Sequence, residues 1–94
     1  MATNKQFTAE VARQIGDTLG IDWDTVDLEQ FRIGLGVEME HGSNDPRTDV
    51  THDDPILTGK IAWAHINEFA DYYVRLAQLE KEADAYWAKQ RQPV

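Results

Sequence analysis

Between Pro55 and Pro93 the chain has no proline, and one set of positions recurs at alternating steps of three and four. Ala62, His65, Phe69, Tyr72, Leu76, Leu79, Ala83 and Tyr86 form this heptad-like stripe over about three heptads. A strand would alternate with period two, so the pattern commits this half of the chain to helix. Asp54-Pro55 opens the run as an aspartate cap followed by proline at the first helical position. The span reads as one long helix or as two helices broken near Phe69-Ala70. A continuous helix of about 30 residues is about 45 Å long. The rest of a 94-residue chain cannot cover that length, so Leu76, Leu79, Tyr86 and Trp87 would need a partner.

Two shorter helices precede it. Thr8 caps a helix over Ala9–Leu19, with Val11, Ile15 and Leu19 on one face and Gly20 as a left-handed stop onto which Ile21 folds back. Gly16 inside this helix marks a close helix crossing. Trp23 anchors the connector. Asp27 caps the second helix, with Gln30 at capping-box spacing and a stripe of Leu28, Phe31, Leu35 and Met39 running to Gly42. Residues 42–54 are rich in turn formers and acids, and form an ordered acidic loop. Their spacing fails the EF-hand pattern, which needs glycine at the sixth place and a terminal glutamate. The expected fold is all-α: two short helices packed on a long C-terminal helix. It is a single domain over 1–94, with its core at about 7–80 and a helical extension at about 80–94.

Composition narrows the function classes. Nine Lys+Arg stand against 17 Asp+Glu, for a net charge of −8. A nucleic-acid or anionic membrane surface calls for a basic face, so neither is an expected direct partner. The acids are interleaved with basic residues. A protein that mimics DNA toward a basic partner is one alternative this charge allows. With no cysteine there is no disulfide framework, thiolate metal site or cysteine nucleophile. No signal peptide or membrane-length apolar run is recognisable, so the expected location is cytoplasmic. The chain has one serine, Ser43, and no glycine-rich phosphate loop or H-E-x-x-H motif, so the reading is non-enzymatic.

Two pairs of acidic and imidazole side chains share a helical spacing: Glu38 with His41, and His65 with Glu68. On facing helices these four would converge as ligands of a single divalent metal, in the way helical bundles build such centres. The competing reading is a buried polar network that orders the fold. Glu40, Asp53, Asp54, Lys60, Tyr72 and Arg75 are its further candidates, with no cofactor required. Aromatic and aliphatic residues late in the chain form the second set. Tyr72 continues the inward stripe, whereas Tyr73 lies one step round and is a surface candidate. Together with Leu76, Leu79, Tyr86 and Trp87, Tyr73 is a candidate partner-binding residue, because aromatic anchors of this kind dominate interfaces.

The stretches Phe7-Thr8-Ala9-Glu10, Ile15-Gly16, Gly20-Ile21-Asp22-Trp23, Glu38-Met39-Glu40-His41-Gly42, Thr48 to Asp54 and Lys60 to Leu76 act together as a signature. Across about residues 7–80 the chain resembles a family of small uncharacterised bacterial and bacteriophage proteins. That family carries E-x-E-H-G, T-N-V-T-x-D-D and K-I-A-x-A-H-x-x-E-x-P-D-Y-Y-x-R-L motifs. The resemblance implies a bacterial or phage setting and no reaction. Asp49 stands where the family has asparagine, and Ala70 where it has proline. Without that proline, one continuous helix is favoured here. The expected function is a non-enzymatic interaction module, probed by its heptad-like helix. Its partner would be a helical or coiled-coil host protein, in the host cytoplasm if phage-encoded, or a second copy as a homodimer.

Overall fold

The computed structural model describes residues 7–91. In chain order the elements are α1 (Ala9–Leu19), α2 (Leu28–Glu38), a 3-10 turn (Met39–His41), α3 (Pro55–Glu68) and α4 (Tyr72–Gln90). No strand occurs among the described residues. Residues 92–94 of the expected C-terminal extension lie outside them.

Local chemistry explains the helix ends. The Thr8 hydroxyl accepts the Val11 N–H at 3.1 Å and starts α1. Gly20, at φ 83°, stops it. The Gly20 N–H returns to the Asp17 carbonyl and the Ile21 N–H to the Gly16 carbonyl, a Schellman closure that folds Ile21 into the core. A Cβ on Gly16 would collide with the Trp23 indole, so the close approach there comes from a side chain rather than a crossing helix. Trp23 also meets Phe31 edge-on, with centroids 5.7 Å apart, and its Nε1–H donates to Asp17 at 2.8 Å. Ala12, not Val11, occupies the inner face of α1 with Ile15, and Val11 is exposed.

Asp27 caps α2 by accepting from the Glu29 N–H at 2.9 Å. Gln30 does not complete the box: its Oε1 is buried without a hydrogen-bond partner. Phe31 and Leu35 are fully buried with Met39 beside them, and burying a side chain the size of Phe31 stabilises by about 1.5–3 kcal/mol. Asp54 caps α3 by accepting from the Ile56 and Leu57 N–H groups. The loop between α2 and α3 is tied at both ends. The Val50 N–H donates to the His41 carbonyl, and Asp53 accepts from the Ser43 N–H and hydroxyl.

The long helical span is broken, contrary to the continuous helix that Ala70 favoured. Phe69 is extended at φ −142°, ψ 121°, and α4 starts afresh when Val74 and Arg75 donate to the Asp71 carbonyl. Side chains lock the corner: Arg75 bonds Asp71 at 2.8 Å and lies 4.4 Å over the Phe69 ring. The physical gain is Tyr73. The turn carries its ring into a slot between Gly34 and α3, where a Cβ on Gly34 would meet the ring at 2.5 Å and Ala62 at 3.1 Å. The core is therefore α1, α2 and α3, closed at one end by the first turn of α4.

Candidate functional site

Glu38 ends α2 as the one buried charged side chain among the described residues, with 4% of its surface exposed. Its Oε2 accepts from the Tyr73 hydroxyl at 2.8 Å and lies 2.9 Å from His65 Nδ1. The Tyr73 oxygen and His65 Nδ1 are 3.2 Å apart. One carboxylate oxygen thus joins α2, α3 and α4. An ionised carboxylate only accepts, so beside a charged Glu38 the His65 ring carries hydrogen on Nδ1. Tyr72 stacks flat on the His65 ring, with centroids 4.3 Å apart and planes 4° apart.

Burial and the nearby Glu38 charge hold the Tyr73 hydroxyl far above the ordinary tyrosine range. Burial, then Glu38 and Glu68, raise Tyr72 in the same direction. A phenol in this setting is a fixed donor rather than a proton-transfer group. The arrangement is well suited to fastening three helices.

The four-residue metal arrangement is not assembled. Glu38 and His65 meet, but His41 is exposed beyond the end of α2 and Glu68 is exposed at the end of α3. Three residues along a helix leave a 60° offset. His65 already sits at the rim, so Glu68 falls outside. Among the described residues, no three His, Asp or Glu side chains are grouped to hold a metal ion.

The remaining network candidates scatter into local roles. Asp54 caps α3, Asp53 ties the loop, and Tyr72 covers His65. Arg75 fastens the corner and Lys60 is exposed. Glu40 is partly buried on the 3-10 turn. Burial raises its carboxyl first, and the Glu80 charge on α4 adds to that.

The expected partner surface needs one correction. Tyr73 is core, at 3% exposure, and so cannot contact a partner. The stripe through Ala62, Ile66 and Tyr73 is the buried one. Leu76 is partly covered by the core, whereas Leu79, Tyr86 and Trp87 are 59%, 56% and 55% exposed. Phe69, Tyr72, Arg75, Leu76 and Leu79 line an open groove of about 230 Å³ along the start of α4. Every residue from Lys81 to Arg91 is exposed, and the Tyr86 and Trp87 rings contact each other edge-on. No helix among the described residues is long and apolar enough to cross a membrane.

Compared with known families, residues 12–82 match the model of DUF5661, described as a protein of unknown function. The matched span ends within α4, before Tyr86 and Trp87. No curated protein and no solved structure matches.

Proposed function

The chain belongs to the DUF5661 family, and we propose that it is a non-enzymatic interaction module whose docking element is α4. One observation carries this reading: half of a 19-residue helix projects from the core with Leu79, Tyr86 and Trp87 open to solvent. An isolated helix of about that half's length is marginal in water, and large apolar side chains grouped along it favour a covering surface. An apolar helix face is the natural complement, because helices pack by interdigitating such side chains. The Glu38–His65–Tyr73 knot then serves as the fixed base from which α4 is presented.

The likeness to bacterial and bacteriophage proteins gives this reading its setting, a phage- or prophage-encoded factor whose α4 docks on a helical protein, either a host protein or a second copy of this chain. A photoreactive residue in place of Leu79 tests it in bacterial lysate. The expected result is a discrete protein adduct that disappears with Trp87→Ala and persists with Lys60→Ala on α3. Adducts indifferent to Trp87 would overturn the assignment of α4.

A further inference from the structure

We propose that the helix covering α4 is α4 of a second copy, aligned in parallel and in register. This rests on α4 being the docking element, and it names the occupant. Leu76, Leu79, Ala83, Tyr86 and Gln90 fall at alternating steps of three and four, the spacing of a two-helix seam. The stripe is continuous with the groove at Phe69 and Tyr72.

The charges choose the orientation. In heptad terms Arg75 and Glu82 flank the seam on one side and Glu80 and Trp87 on the other. A parallel pair sets Arg75 of each copy against Glu80 of the other, twice by symmetry. On the Glu80 side the fold already gathers acid, with Glu40 near enough to sense the Glu80 charge. The incoming guanidinium therefore meets Glu80 on the acidic side of the seam. The pairing leaves Arg75 Nε on Asp71 and uses the outer face of the guanidinium fork. Glu82 meets Trp87, with no like-charge conflict. The antiparallel alternative that stacks Leu79 on Ala83 and Leu76 on Tyr86 sets Glu82 against Glu82 and Arg75 against Lys89. Gln90 at a seam position also penalises shifted registers, where it would face an apolar side chain.

Sedimentation equilibrium on the full chain, over a concentration series, tests this together with a cross-link. The chain has no cysteine, so Gln90→Cys introduces a single thiol. The expected results are a reversible dimer, a rapid Gln90→Cys disulfide, and dimer loss in Leu79→Asp. Arg75→Glu and Glu80→Arg each weaken self-association about tenfold, and an equimolar mixture of the two recovers it. Circular dichroism confirms that the variants fold, as expected for side chains at exposed or half-buried sites. A monomer at all concentrations overturns the proposal and leaves α4 available to another protein. A dimer that is lost in Leu79→Asp but forms no Gln90→Cys cross-link overturns the parallel register alone. A dimer indifferent to Leu79→Asp overturns both this pairing and α4 as the docking element.

Discussion

The Tyr73 hydroxyl donates to the Glu38 carboxylate at 2.8 Å across 35 residues of sequence, joining the first turn of α4 to the last residue of α2. His65 approaches the same oxygen from α3. Tyr73→Phe keeps the ring in its slot and removes one donor from a buried carboxylate. The expected loss is about 1–2 kcal/mol, read from denaturant unfolding. An unchanged midpoint would show that water replaces the hydroxyl.

The same bond sets an alkaline limit. Tyr73 holds its proton in the folded chain well above the pH at which a free tyrosine, near 10, releases it. Above about pH 10 the unfolded state therefore binds fewer protons than the folded state, and stability falls as pH rises. Tyr73→Phe removes this contribution. Thermal unfolding from pH 9 to 11.5 should show a shallower decline in the variant than in the parent chain. Parallel declines would contradict the assignment.

Glu40 makes the opposite kind of test, in acid. Its raised carboxyl means that folding opposes its ionisation, so the contribution to stability is fullest below about pH 4.5 and is lost as pH rises through the folded value. Glu40→Gln is expected to flatten that part of the pH profile and to raise the melting temperature at pH 7. A lower melting temperature at pH 7 would mean that the carboxylate makes a bond worth more than the cost of its burial and its repulsion from Glu80.

Gly34→Ala separates helix propensity from packing. Propensity alone favours alanine inside α2 by about 1 kcal/mol. The new methyl group would meet the Tyr73 ring and the Ala62 methyl group. A net loss of about 1–3 kcal/mol is expected, with near-ultraviolet dichroism of the tyrosines altered. A stabilised Gly34→Ala protein would place the Tyr73 ring elsewhere.

Asp53→Ala probes the loop. Asp53 sits at φ 62°, beside His52 at φ 52°, and holds Ser43 through both carboxylate oxygens. Alanine adopts that conformation poorly and makes neither bond. Faster proteolysis between residues 42 and 54 is expected, with a stability loss of about 1–2 kcal/mol. The Asp54 cap of α3 is untouched.

Where the deciding chemistry is local, the sequence announces the structure. Thr8, Asp27 and Asp54 cap the helices they were expected to cap, and Gly20 ends α1, because each acts within three or four residues. The meeting of Glu38 and His65 was also readable, as two polar residues on facing apolar stripes. Tyr73 is core and Tyr72 only half-buried because the break at Phe69–Asp71 resets the helical phase, so a stripe carried across it from His65 misassigns the start of α4. The break at Phe69–Asp71 has no proline to announce it here. Its cause is tertiary: the slot at Gly34 that accepts Tyr73 lies on another helix. His41 and Glu68 share spacing with their partners but not depth, and spacing alone carries no information about depth.

The joint between α3 and α4 turns the second helix into a lever. Nineteen residues of helix span about 28 Å, and Tyr73 is the only one fully buried. A swing of about ten degrees at the joint would carry the far tip about 5 Å, the rise of one helical turn. The Tyr73–Glu38 bond acts close to the pivot, where a displacement of a few tenths of an ångström corresponds to ångströms at Trp87. Whatever seats itself on the outer half of α4 thereby pulls, with mechanical advantage, on a single carboxylate in the core.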